Sequence, residues 1–371
     1  MRTYDVLIVG AGPAGSTAAR LLAGQGFDVL ILDKSDFPRH KPCGGALSPK
    51  AYSQLDFDIS DTVKSRVRRT QIKGQGKRAF ALEFKDAEIW ITSRDELDLR
   101  LLERALQAGA SFKQGEAAVT VLDDGRAVQT PYGEYRCRVL VGADGCDSVV
   151  ARALGLDEPR PRRLRALHFE APMRGEPKDE AVLDFDCPGG YAWLFPKGDR
   201  FNAGICTREP GWSLRPRLEA FLRREGLVLE KGIDLRSRPI PIGGGSRPLH
   251  RANVLLVGDA AGLADPLLGE GIAYAIMSAR LAAQAIAAFL KGETPDLAGY
   301  SDRIRRTLQR DLWGLSIGAA LFYRFTALSL TLLRNSPSMR RLAINILSGQ
   351  KSISGIWTNP PVTPSSTKGA P

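Results

Sequence analysis

Residues 4–34, YDVLIVGAGPAGSTAARLLAGQGFDVLILDK, restrict the fold of this chain more than any other stretch. The apolar run Val6 to Val9 reads as a buried parallel strand. Gly10, Gly12 and Gly15 follow in GxGxxG spacing, with Pro13 and Ala14 between them. The small residues from Ala14 to Ala23 read as a helix packed close on a sheet. A second apolar strand, Val29 to Leu32, ends in Asp33 and Lys34. Glycine at these places permits a tight turn, a close approach of backbone to a pyrophosphate, and close helix–strand contact. N–H groups at the helix start then face the phosphate charge. Asp33 stands where a carboxylate accepts hydrogen bonds from a ribose diol. GxGxxG alone is a weak signal; inside a strand–turn–helix–strand–acid unit it specifies a dinucleotide, NAD or FAD alike.

Two later segments narrow that choice. RVLVGADGCDSVVARALG (138–155) reads as a strand, then Asp144 and Gly145, then a helix start at Ser148. ANVLLVGDAAGLADPLLGEGIAYAIMSARLAA (252–283) reads as a strand, then Asp259, then Gly269, Gly271 and Ile272 opening an alanine-rich helix. Singly, such Asp-Gly pairs are ordinary turns. In this order and separation the three segments resemble the flavoprotein monooxygenase superfamily, the group related to p-hydroxybenzoate hydroxylase. That resemblance implies FAD. It places Asp144 and Asp259 on ribityl or ribose hydroxyls, and adds Lys34, Ala118 and Arg94 to the cofactor residues. Arg94 begins TSRDELDLRLLERALQAGA, where Ser93 and Glu96 have capping-box spacing and Leu97, Leu101, Leu102 and Leu106 form an apolar face. GEAAVTVLDDGRAVQT (115–130) reads as a hairpin through Asp124-Gly125.

Between 156 and 250 short strand-like runs separated by Pro/Gly turns suggest a mostly antiparallel sheet, with a helix at 213–226 beside it. In CPGGYAWLFPKGDRFNAGI, Tyr191, Trp193 and Phe195 alternate onto one face of a strand. An ordinary sheet core accounts for that spacing. The stretch also resembles the YxWxFPK…NxG motif of the geranylgeranyl reductase family, a branch of the same superfamily. KPCGGALSPKA (41–51) matches that family's loop after the second strand. The resemblance covers roughly residues 3 to 290. It implies a prenyl-chain substrate, carried on a diphosphate, a lipid, a quinone or a chlorophyll precursor, whose isolated double bonds are saturated. It also gives Tyr191, Trp193, Phe195 and Cys43 catalytic places, with Cys43, Gly44 and Gly45 against FAD. Cys43 has two readings, a small inert packing residue, or a proton donor or gate for flavin movement, and the family resemblance favours the second. An oxygen-using monooxygenase or halogenase, and a prenyl carrier that keeps FAD structurally, are the other two classes. No second complete dinucleotide fold is present, so NAD(P)H or ferredoxin is expected as an external reductant.

The fold class expected is α/β: a Rossmann-type FAD-binding domain (1–70, 94–155, 250–295), an inserted mostly antiparallel β substrate domain (71–93, 156–249), and a helical C-terminal region (296–357). A disordered tail (358–371) is expected after it. Five scattered cysteines without a CxxC pair argue against a disulfide framework or zinc, and fit a reducing, cytoplasmic compartment. His40, His168 and His250 share no ligand or triad spacing, so no metal site is expected. Asp265 and Glu270 have a loop cap or a proton role open to them, and Lys197 a phosphate or a solvated strand end. No secretory h-region follows MRTY, and the nearest approach to a membrane span is 314–333, interrupted by Arg324. Net charge is +11, with arginines clustered at 160–165, 303–306 and 340–341. No nucleic-acid motif accompanies them, which leaves a solvated basic face, a pyrophosphate, an acidic redox partner or anionic headgroups. The basic, apolar C-terminal lobe is expected as a peripheral membrane contact or as a lid.

Overall fold

Val6, Leu7 and Ile8 are fully buried because β1 (Thr3–Val9) is a central strand of the first sheet. The computed structural model describes residues 2–85, 88–157, 163–173, 179–244 and 248–348. Beside β1 lie β2 (Val29–Leu32) and β8 (Ser111–Lys113) on one side. On the other are β11 (Gly133–Gly142), β18 (Val254–Leu256) and β17 (His250–Arg251). From β8 to β18 the neighbours run parallel. β9 (Thr120–Leu122) and β10 (Ala127–Thr130) fold back antiparallel on β11, the hairpin expected at 115–130. Against this sheet lies α1 (Pro13–Ala23), and α3 (Arg94–Gln107) and α6 (Ile272–Leu290) pack on α1. Close packing demands small side chains: Ala18, Ala19, Ala279 and Ala282 are fully buried, and a Cβ on Gly15 would sit 1.8 Å from the Gly10 carbonyl oxygen.

The second sheet has seven strands in the order β16 (Arg236–Pro241), β12 (Arg163–Pro172), β15 (Arg200–Thr207), β14 (Gly190–Lys197), β13 (Glu180–Asp184), β5 (Arg69–Gly74) and β6 (Lys77–Glu83). All its pairings are antiparallel except β13 with β5. Alternation splits it into two faces. Phe169, Ala203 and Ile205 pack under α5 (Leu214–Arg224), whose Leu218, Phe221 and Leu222 fill one core. Ala166, Tyr191, Trp193 and Cys206 turn the other way, toward the cofactor half. Each large side chain buried here contributes roughly 1.5–3 kcal/mol.

Several expectations are corrected. Residues 89–92 do not join the large sheet: β7 (Ile89–Thr92) pairs with β3 (Ala46–Leu47) and β4 (Val63–Val67) in a separate three-stranded sheet. Ser93 is the N-cap of α3, but its hydroxyl makes no cap hydrogen bond. Glu96 instead reaches Lys64 on β4, 2.6 Å away, where an opposite charge outcompetes the backbone amide. Leu106 is exposed, because Ala105 takes the inward position at that turn. The apolar stretch 314–333 is not one helix. α8 (Arg310–Arg324) and α9 (Thr326–Asn335) are bent by 102° at Phe325. Among the described residues the one unbroken helix long and apolar enough to cross a membrane is α6, and 67% of it is buried inside the protein. Short helix α2 (Pro49–Tyr52) starts beside the cleft, α4 (Val149–Ala153) follows β11, and α7 (Ala298–Ile304) and α10 (Pro337–Ser348) complete the C-terminal region. The tail at 358–371 and Arg160 and Arg162 of the first arginine cluster lie outside the described residues.

Candidate active site

One cavity runs between the two large sheets, and both sets of sequence motifs line it. At one end is the turn from β1 to α1. Gly10 has φ +105°, and a Cβ there would meet the Ala143 carbonyl oxygen at 2.4 Å. Gly12, the N-cap of α1, faces space instead: apart from its chain neighbours, the one atom of the described residues within 4 Å of a Cβ position is Nη2 of Arg39, at 3.6 Å. Gly12, Pro13 and Ala14 therefore present the helix start to the cavity with a guanidinium beside it, a cradle for a phosphate anion. Asp33 accepts from the Ala11 amide (2.7 Å) and the Ser35 amide (2.9 Å), which fixes its carboxylate at the end of β2. Asp259, Gly269, Gly271 and Ile272 line the cavity at the start of α6, with Lys41 Nζ 3.9 Å from Asp259. Glycines that open onto the cavity, two helix starts and flanking cations fit FAD.

Gly10, Gly15 and Asp33 are off the cavity lining and shape the turn behind Gly12, and three further cofactor candidates, Asp144, Lys34 and Ala118, are off it as well. Asp144 turns to the protein, accepting from the Ser148 hydroxyl (2.6 Å) and the Val149 amide (2.6 Å) to hold the start of α4. Its neighbours Ala143 and Gly145 line the cavity in its place. Lys34 is exposed and Ala118 is half-buried against the first core, and neither is on the lining.

The loop carrying Cys43 lies between the cofactor end and the aromatic wall, and its glycines answer to protein neighbours. A Cβ on Gly44 would come 2.9 Å from Cε2 of Phe195 and 3.3 Å from Nε1 of Trp193. Gly45 has φ +78°, and its Cβ would meet the Thr92 carbonyl oxygen at 2.3 Å. The Gly45 amide donates to Cys43 Sγ at 3.4 Å. Arg94 also reaches that sulfur and is gripped at two points by Asp98, both at 2.8 Å. Asp98 is fully buried and holds Arg39 as well, at 3.0 Å. Burial disfavours its charge, yet Arg94 and then Arg39 keep its carboxyl below the usual range. Arg39 and Asp98 were missed from sequence. The readable signals were the basic run after Asp33 and an aspartate one helical turn beyond Arg94.

Tyr191, Trp193 and Phe195 come together as one wall, ring centroids 5.8 Å and 6.3 Å apart along β14. The tyrosine hydroxyl donates to the Leu268 carbonyl (2.6 Å) and the indole N–H to Asn202 Oδ1 (2.7 Å). An indole can only donate, so that oxygen is the acceptor and Asn202 Nδ2 the donor. Nδ2 lies 3.2 Å from the Cys43 carbonyl, from Glu170 Oε1 and from His168 Nδ1. His168 Nδ1 therefore accepts and the ring proton sits on Nε2, a buried atom with no hydrogen-bond partner among the described residues, on a residue that lines the cavity. Burial pushes this imidazole down to about 4, so it is neutral at physiological pH. Lys197 does not end its strand in solvent. It is buried and paired with Glu170 at 2.6 Å. The spacing of the histidines gave no hint that His40 lies close enough to bear on His168.

A second polar group sits where Asp265 and Glu270 were expected to choose between cap and proton roles. Asp265 Oδ1 accepts from the Leu267 and Leu268 amides, a loop cap, and the residue also lines the cavity. Burial pushes its carboxyl up, against the pull of the Lys50 ammonium. Glu270 pairs with Lys50 at 2.9 Å and accepts from the Ser48 hydroxyl. Among the described residues no cluster of His, Cys, Asp and Glu could hold a metal ion.

Comparison with known proteins agrees with this geometry. The family model described as "FAD binding domain" matches residues 3–183. The chain is 34% identical over 317 residues to the menaquinone reductase of Mycolicibacterium smegmatis, covering 76% of this chain and 75% of that one. It is 33% identical over 311 residues to the geranylgeranyl diphosphate reductase of Rhodobacter capsulatus, covering 79% and 77%. Among solved structures, a geranylgeranyl bacteriochlorophyll reductase-like protein from Thermoplasma acidophilum superposes with a TM-score of 0.79 at 25% identity, covering 96% of this chain and 94% of that one.

Proposed function

The chain belongs to the geranylgeranyl reductase family of FAD-dependent oxidoreductases, and from that premise we propose that it saturates isolated C=C bonds of a prenyl chain. The observation that carries the reading is the shared cavity: the cofactor turns, the Cys43 loop and the Tyr191–Trp193–Phe195 wall line one space. An isolated trisubstituted alkene is not polarised, so a hydride alone attacks it poorly. Proton addition at one carbon builds tertiary cation character at the other. Aromatic faces stabilise such a charge by roughly 0.5–2 kcal/mol each, and three are presented here. FAD, reduced by NAD(P)H or ferredoxin, supplies the hydride when bound.

The protein's part is to hold the chain against those rings, exclude water and deliver the proton. Cys43 and Asp265 are the acidic groups proposed for delivery. Burial favours the protonated form of Asp265. Replacement of Trp193 by alanine is expected to lower turnover at least tenfold while FAD content stays near that of the parent; unchanged turnover removes the aromatic wall from the reaction. Cys43→Ser and Asp265→Asn separate the two donors: the variant that keeps FAD and loses product marks the proton source. Anaerobic incubation of the reduced holoenzyme with geranylgeranyl diphosphate tests the reaction class. A product two mass units heavier for each bond reduced is expected, and a product that forms only with oxygen would make this a monooxygenase or halogenase.

A further inference from the structure

Eight of the twelve exposed large apolar side chains among the described residues fall between Trp313 and Leu342. On α8 they form a line. Trp313 (67% exposed), Ile317 (44%) and Leu321 (57%) recur at four-residue spacing, with exposed Arg310 and Arg324 at the two ends. The opposite side of the helix, Leu312, Leu315 and Ala319, is buried in the protein, so α8 is apolar on two sides. At the 102° bend the line passes through exposed Phe325 and continues on α9 at Leu328 and Leu332. Charge is one-sided here: residues 305–348 hold seven arginines and a single carboxylate, Asp311, which is buried.

We propose that this face is a docking surface for an anionic phospholipid bilayer, with α8 lying in the plane of the interface. Basic charge alone would serve a nucleic acid equally. A line of Trp, Ile and Leu with an arginine at each end fits a lipid surface, because the apolar residues enter the acyl boundary while the guanidinium groups rise to the headgroups. The remaining arginines of the segment add long-range attraction to an anionic leaflet. The surface is also continuous with the cavity. Phe322 and Tyr323, beside Leu321 and Arg324, turn inward: Phe322 stacks edge-on against Phe185 at 5.0 Å and the Tyr323 hydroxyl donates to the Leu267 carbonyl. Ile346 and Leu347 of α10 line the cavity itself. The C-terminal end of α8 thus carries the exposed line on one side and packs against the cluster of Tyr191 and Trp193 on the other. The docking proposal stands on exposure and charge, and does not depend on the substrate reading.

Flotation of the holoenzyme with vesicles tests it. Vesicles of phosphatidylcholine with about 30% phosphatidylglycerol are expected to carry the protein, and pure phosphatidylcholine vesicles to carry little, as the surface-charge attraction requires. Each basic residue at such a surface is worth roughly fivefold in affinity, so Arg310→Gln with Arg324→Gln should weaken binding roughly 25-fold. Ile317→Ser with Leu321→Ser should abolish it, while FAD absorbance and turnover of detergent-dispersed substrate persist. Trp313 emission should shift to the blue on anionic vesicles, and Trp313→Phe should remove that shift. Absence of flotation on anionic vesicles overturns the proposal, as does flotation indifferent to both double variants. So does a dimer in light scattering that the serine pair dissociates, since a second copy would then cover the line. Failed flotation with intact product formation in detergent refutes docking alone; the reverse refutes the prenyl reading alone.

Discussion

Asn202 is fully buried: its Oδ1 accepts from the Trp193 indole, and the two N–H bonds of its Nδ2 are shared among three acceptors, each with its own place in the site. It orients the Trp193 indole, ties down the Cys43 loop through a carbonyl, fixes the His168 tautomer and shares Glu170 with Lys197. Leucine at this position has similar bulk and no polar atoms, so it strands the indole N–H and His168 Nδ1 together. Each buried group left unpaired costs about 1–3 kcal/mol. Asn202→Leu is expected to lower the unfolding free energy by about 3 kcal/mol in urea titrations of the holoprotein; a loss below about 1 kcal/mol would show that these bonds do not hold the wall.

Two glycine turns that look alike in sequence do different work as elements. The turn into α1 faces open space at Gly12, whereas the Cys43 loop is wedged at Gly44 against the face of β14. Gly12→Ala should leave thermal stability of the apoprotein unchanged and weaken FAD binding. Gly44→Ala should destabilise by about 1–3 kcal/mol through overpacking on Phe195, with lost turnover. Similar behaviour of the two variants in both assays would contradict the distinction. This contrast also marks what could be read before the fold was known. GxGxxG, the acid at Asp33 and the alternation of Tyr191, Trp193 and Phe195 are local patterns, and local patterns survive in one dimension. The pairing of β7 with β3 and β4 and the meeting of His168 with Asn202 depend on register between distant strands, and the grip of Asp98 on Arg39 on a helix meeting a distant loop. Neighbouring residues carry no trace of that register. The Cys43 loop was placed beside the cofactor, but its glycines could not be assigned to the aromatic wall without the wall's position. The C-terminal apolar stretch was visible as composition, while its bend at Phe325 was not.

At the scale of the whole molecule, His168 links the fold to pH. Its imidazole is held down to about 4 by burial, against 6.5 when free in water. Below pH 6.5 the unfolded chain binds a proton that the folded protein refuses, so this contribution to stability is complete above about 6.5 and shrinks as pH falls toward 4. Over that window the loss is about 2–3 kcal/mol. His168→Gln should flatten that part of the profile, measured as urea midpoints at several pH values; an unaltered slope would mean that the proton is taken elsewhere.

The connectivity has a consequence for synthesis. β18 covers the outer edge of β11, yet the chain builds most of the second sheet between the two. At a ribosomal pace of about 5–20 residues per second, roughly 110 intervening residues keep the 140–142 part of that edge unpaired for about 6–22 seconds, while β10 already covers residues 133–136. An open parallel edge is a template for other strands. The nascent protein therefore passes through an interval in which it can stick to its neighbours, and translation speed between Gly142 and Val254 becomes a determinant of yield.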